Sequence, residues 1–167
     1  MDDKSGGFAD SSRQLHEALD GQVRQGQPTF FKLEAQLPTE GRTNIPLAAS
    51  ENMWVVLKTY ASGGENELHT HPHEDHTFIV LQGAAKFYGP AGETKTVGKN
   101  EGVLLPRGAC YWFHACGEET LVMARVGAGT GDSDRFARLD GEGGVMEGDD
   151  PRNKQVPVVL SDKWYGK

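Results

Sequence analysis

Four of the six histidines fall in one short run, His69-Thr70-His71-Pro72-His73-Glu74-Asp75-His76. Crowded imidazoles repel one another once protonated, whereas neutral imidazole is the commonest side-chain ligand for transition-metal ions. Spacing sharpens the reading. His69 and His71 are two apart, so on a strand both point to the same face. Pro72 ends regular pairing, and residues 72–75 make a short polar turn. His76 then opens the next strand, where alternation places Phe78, Val80 and Gln82 on its side and Thr77, Ile79 and Leu81 on the other. Two adjacent strands thus offer His69, His71 and His76 to one interior point, and these are the expected metal ligands. His73, in the turn, is expected at the rim.

The segments around this cluster read as short strands separated by turn residues. They are Met53–Tyr60 (MWVVLKTY, closed by Gly63-Gly64), residues 67–71, residues 76–81 (HTFIVL, closed by Gly83) and Ala84–Tyr88 (closed by Gly89-Pro90). Residues 93–97, Gly102–Leu105, residues 110–115 and residues 120–126 (TLVMARV) follow. Strands at such close intervals are the pattern of an antiparallel sandwich or barrel, and no helical period interrupts them as a parallel βαβ sheet would require. Residues 12–23 form a candidate short helix with Leu15, Leu19 and Val23 on one side. Residues 29–37 (TFFKLEAQL) read as a further strand, and residues 38–52 as a polar stretch. The Gly-, Asp- and Glu-rich residues 127–152 are expected to form a long surface loop, and residues 155–160 a late strand that Pro157 confines to an edge.

Bulk composition excludes several classes of function. The chain has 167 residues, enough to bury a core without disulfides. Its net charge is −7, and Lys86, Lys95 and Lys99 are scattered singly among carboxylates, so no basic stripe exists to follow a phosphate backbone. No apolar run is long enough for a membrane-spanning helix. The start, MDDKSGGFADSS, lacks the pattern of a signal peptide, and the two cysteines, Cys110 and Cys116, make no disulfide framework. A cytoplasmic setting is expected, with neither nucleic acid nor membrane as partner. Both cysteines read as small apolar residues.

The run from Gly63 to Gly83 resembles the first motif of the cupin superfamily, G(x)5HxH(x)4E(x)6G, with Gly63, His69, His71 and Gly83 in place and His76 where glutamate is usual. The stretch from Asn100 to Ala115 is similar to the second motif, G(x)5PxG(x)2H(x)3N. Pro106 and Gly108 match. Asn100 replaces glycine, Tyr111 the metal histidine and Ala115 the asparagine. Asn is the tolerable swap, because it enters the left-handed backbone region more readily than most residues. The resemblance implies an all-β, antiparallel jelly-roll (cupin) β-barrel with short terminal extensions: residues 1–52 ahead of the barrel, 53–127 as its core, and 128–167 as a closing loop and edge strand.

By the same resemblance the site holds a divalent transition metal. Exchanging the glutamate for His76 shifts the ligand set toward imidazole, which suits Fe(II), the first expectation, and also Zn(II), Ni(II) or Cu(II), better than Mn(II). Tyr111 is the candidate catalytic residue, either a phenolate ligand or an O–H donor to bound ligand or water. Phe78, Phe113 and Lys58 are the candidate substrate-binding residues, the aromatics as an apolar wall and the lysine for an anion, if the strand set Trp54, Val56, Lys58, Tyr60 faces inward. Arg125, in an otherwise apolar strand, raises the same question. His114, Cys110 and Trp112 are expected on the outer face. The implied activity is that of an enzyme on a small carbonyl or carboxylate metabolite, dioxygenase-like first, decarboxylase or isomerase next. A non-catalytic ligand-binding or sensor barrel is the alternative. A homodimer is expected, because the strand at residues 29–37 needs a sheet edge that a partner could supply.

Overall fold

A computed structural model describes residues 7–129, 134–153 and 155–167. One helix, α1 (Ser12–Gln22), precedes twelve strands: β1 (Ala35–Glu40), β2 (Arg42–Ala49), β3 (Met53–Tyr60), β4 (His69–Thr70), β5 (Glu74–Gln82), β6 (Ala84–Tyr88), β7 (Thr94–Gly98), β8 (Gly102–Leu105), β9 (Cys110–Cys116), β10 (Leu121–Gly129), β11 (Leu139–Asp140) and β12 (Val159–Tyr165). All the strand pairings are antiparallel. One five-stranded sheet runs β2-β3-β10-β5-β8 and a second runs β11-β4-β9-β6-β7. A two-stranded ribbon, β1-β12, stands apart. This is an all-β jelly-roll barrel.

Alternation along the strands builds the core. Tyr60, Phe78, Val80, Leu121 and Met123 from the first sheet meet Ala85, Phe87, Val97, Tyr111 and Phe113 from the second in one apolar cluster. On β3 the set Trp54, Val56, Lys58 and Tyr60 does face inward, and all four are buried. The opposite set is not left in water. Leu57 packs with Ile45 and Val122 beneath Ala35 and Leu37 of the ribbon, so the β1-β12 ribbon covers the first sheet's outer face. The helix closes another flank. Ser11 caps α1 by accepting from the Gln14 amide at 3.2 Å, and Leu15 and Leu19 pack on Trp54, Val56 and Ala49.

Turn chemistry fixes the corners. Asn100 has φ 67° and is the one non-glycine with positive φ among the described residues; Gly83 and Gly108, at 72° and 82°, turn the chain at the other motif corners. Gly83 is also hemmed in, since a Cβ there would stand 3.0 Å from the Glu119 carbonyl oxygen.

Several expectations need correcting, among them the late strand read at residues 155–160, which runs Val159–Tyr165, and the turn read at residues 72–75, whose Glu74 and Asp75 already belong to β5. The strand read at residues 29–37 begins only at Ala35, and its hydrogen-bonding partner is β12 of the same chain, so it does not call for a second subunit. Residues 38–52 are not merely polar connection: β2 lies there and joins the barrel sheet, its buried Thr43, Ile45 and Ala49 spaced among polar residues that mask the alternation. The segment from 127 is not a plain surface loop, although residues 130–133 lie outside the described residues. β10 continues to Gly129, β11 extends the second sheet beside β4, and Met146 and Arg138 are buried. A few anchoring side chains in a polar stretch leave little trace in composition.

Gly127 pairs with Trp54 on one side and His76 on the other, and a Cβ there would stand 2.3 Å from two carbons of the Trp54 indole. Gly127→Ala is expected to lower stability by about 1–3 kcal/mol in urea denaturation, and adding Trp54→Leu to restore part of that loss.

Candidate functional site

The interior of the barrel holds a cavity of about 60 Å³ lined by charged and aromatic side chains. β4 and the residue after it supply His69 and His71, β9 supplies Tyr111 and Phe113, and β5 supplies Phe78. β3 contributes Lys58, β10 Arg125 and β2 Arg42, while Arg138 comes from just before β11. Every residue expected to bind substrate thus reaches one space, with Tyr111 beside them, its ring 4.6 Å from that of His69 and 6.1 Å from Phe78.

The charge in this space is one-sided. Four cationic side chains line the cavity and, among the described residues, no Asp or Glu does. Lys58 is 3% exposed and has neither a hydrogen bond nor an ion pair among the described residues. Burial, then the charges of Arg125, Arg42 and Arg138, pushes its ammonium well below the usual range. Arg138 is 9% exposed, and its Nε and Nη2 are buried without partners among the described residues; burial lowers it to about 10. Arg125 likewise has an unpartnered Nε. Arg42 alone is well satisfied, donating to the Gly64 and Gly148 carbonyls at 3.3 and 3.2 Å and to the Asn66 side chain.

His69, His71 and His76 are all buried and their rings stand together, 5.1 Å between the first two and 4.0 Å between the last two. Desolvation holds each of the three well below the usual imidazole range, so all are neutral near pH 7. His69 Nδ1 donates to the Glu67 carbonyl at 2.8 Å, which leaves Nε2 as a lone pair toward the interior, and His71 Nε2 is buried with no partner. His76 is different. A guanidinium can only donate, so Nδ1 accepts from Arg125 Nη2 at 3.2 Å, and Nε2–H then donates to Glu74 Oε2 at 2.9 Å. Both ring nitrogens are taken.

Glu74 was not singled out from the sequence. It is 2% exposed, its other oxygen accepts from the Trp54 indole at 2.8 Å, and burial raises it to about 7. Strand parity could have found it, since Glu74 shares a face with His76 and Phe78. His16 and Arg138 also went unnoticed. His16 reaches the cavity from α1 and stacks on Phe136 at 3.9 Å; Arg138 lies in the stretch read as loop. His73 stays half-buried outside the cluster, and His114 and Trp112 lie on the outer face, where Tyr88 stacks on Trp112 and hydrogen-bonds His114.

Residues 56–127 match the family model of the cupin domain, so this part of the chain is a cupin domain. Among solved structures it is similar to a conserved protein of unknown function from Streptococcus pyogenes, at 18% identity over 65% of this chain and 91% of that one, with a TM-score of 0.51. It is also similar to the cupin domain of Cnp3 from Schizosaccharomyces pombe (21% identity, 53% and 61% of the two chains, TM-score 0.49). KdgF from Halomonas sp. is a further likeness (19%, 53% and 79%, 0.48). At these identities the likeness is one of fold. Among curated proteins none matches. No helix among the described residues is long and apolar enough to cross a membrane.

Cupin domains often bind metals. Here His69 and His71 each turn a free nitrogen inward, but His76 has none to give. Among the described residues no group of three or more His, Cys, Asp or Glu is arranged to hold a metal ion. A divalent cation would also join four cationic side chains, with no carboxylate among the described residues lining the cavity. As oriented, the three imidazoles do not fit a shared metal ion.

These buried imidazoles set a pH dependence. Their folded pKa lies below the ordinary 6.5, so the unfolded chain binds more protons and stability falls as pH drops below about 6.5. Glu74, raised from 4.5 to about 7, acts in the opposite sense across that window, but as one group against three. The urea midpoint is expected to be lower at pH 5.5 than at 7.5, and His71→Gln to flatten the difference.

Proposed function

We propose that this barrel captures a small organic anion, a carboxylate- or enolate-bearing metabolite, against the cations of its interior. The observation that carries this is the pair Lys58 and Arg138, both buried and lining the cavity: neither has an ion pair among the described residues, Arg138 Nε and Nη2 are buried without hydrogen-bond partners, and Lys58 Nζ has only the Tyr60 ring, 5.2 Å away, beside it. Burying an unpaired charge is costly unless a counter-charge joins it, and a bound carboxylate is that counter-charge. Arg forks suit its two oxygens, and Lys58 adds a point charge.

Part of the lining is apolar, with Phe78 and Phe113 in edge contact at 5.4 Å, which suits the carbon skeleton of a small acid. Tyr111 is raised by burial, so its phenol stays protonated and can donate an O–H to the ligand. The cavity is sized for a carboxylate group. A second cavity of about 270 Å³, sharing Ser12, Arg42 and Asn44 with it, gives room for a longer tail. Oxygenase chemistry would require the metal that the imidazoles as oriented do not fit. Ligand capture is therefore the function favoured, the barrel acting as a binding or sensing module.

Burial holds Lys58 below its usual range, and a bound anion favours its protonated form, so binding is expected to weaken as pH rises. Titrating the protein with pyruvate or acetate across a pH series measures this. Acetamide should not bind. Lys58→Met should weaken binding and flatten its pH dependence. Binding of acetamide as tight as acetate would overturn the reading.

A further inference from the structure

Resting on that reading, we infer that His76 is a positioning residue: with Glu74 and Trp54 it braces Arg125, whose guanidinium, rather than a metal ion, receives the ligand's carboxylate. The contacts form one chain across three neighbouring strands. The Trp54 indole N–H donates to Glu74 Oε1 at 2.8 Å; His76 Nε2–H donates to Glu74 Oε2 at 2.9 Å; Arg125 Nη2 donates to His76 Nδ1 at 3.2 Å. With both oxygens of Glu74 accepting, His76 is fixed in one tautomer, and its remaining lone pair can only face a donor.

The guanidinium is also held from its faces. Its central carbon lies 4.8 Å from the Trp54 ring centroid and 5.7 Å from that of Phe78. Backbone register makes this stacking fit: Arg125 pairs across from Phe78 and Val56, and Gly127, two residues on, leaves the space the Trp54 indole fills. One N–H of Arg125 is spent on His76, Nε has no partner, and the side chain lines the cavity shared with Arg138 and Lys58. A locked fork with free N–H groups is what bidentate recognition of a carboxylate needs. In this chain the imidazole at position 76 thus orients a guanidinium.

The test measures acetate and pyruvate affinity, with acetamide as neutral control, in full-length protein and four variants. Zinc and nickel uptake is measured in parallel. Arg125→Gln is expected to lose about ten-fold or more in affinity, the effect of removing a charge-assisted pair. Arg125→Lys, which keeps the charge and loses the fork, should also bind more weakly than the parent. His76→Ala should weaken the carboxylate several-fold, while His76→Gln, whose amide can accept from Arg125 and donate to Glu74, should restore most of it. None of these substitutions should alter metal uptake. Carboxylate affinity unchanged in both Arg125 variants would overturn the inference and leave the anion site standing on Lys58 and Arg138. Metal uptake lost in both His76→Ala and His76→Gln would overturn it by restoring His76 as a ligand. Failure of the parent to bind any carboxylate would overturn the anion reading itself.

Discussion

The interior of this barrel is organised by the desolvation of positive charge. Lys58, Arg138 and Arg125 project into a space that water reaches poorly, and among the described residues no acidic side chain lines it. Lys58 responds by a depressed proton affinity, and the buried imidazoles stay neutral for the same reason. Glu74, a buried carboxylate, does not line this cavity; it hydrogen-bonds His76 and Trp54 and feels the charge of Arg125. The site is thus left with uncompensated positive charge that a ligand can complete.

Rigidity around the site comes from ordinary barrel packing. Both sheets contribute to one aromatic cluster, with Tyr60, Phe78 and Phe87 each within 5.4 Å of Phe113. Covering layers secure the rest: the β1-β12 ribbon over the first sheet's outer face, and α1 over Trp54 and Val56. Trp54 belongs to both systems, since it packs under the helix and donates to Glu74. The stability of the covering helix and the orientation of Arg125 are therefore linked through one side chain.

The barrel was legible because alternation and turn residues are local signals. Met53–Tyr60, Ala84–Tyr88 and Gly102–Leu105 have the bounds read from the sequence, and Asn100 adopts the left-handed conformation its motif position calls for. Phe113 reaches the cavity from the face it shares with Tyr111, and Lys58 does so because the strand set that parity left open faces inward. What could not be read is what depends on distant partners. β2 hides its alternation among polar residues, and Arg138 and Met146 gain burial only because β11 returns to β4. The rings of His69, His71 and His76 do meet, but from the two facing sheets, β4 in one and β5 in the other, and not from the adjacent strands their spacing suggested; parity also says nothing about which nitrogen is free. That was decided by Arg125, remote in sequence, and by Glu74, whose role beside the histidines was overshadowed by them.

The central claim is that the cations of the interior, without a metal, take an anion. Equilibrium binding of radiolabelled pyruvate to chelator-treated protein, verified metal-free by elemental analysis, tests it most directly. The account predicts saturable binding of one pyruvate per chain, unchanged when zinc, nickel or ferrous ion is added. Binding that is absent from the metal-free protein and appears only when metal is returned would contradict it.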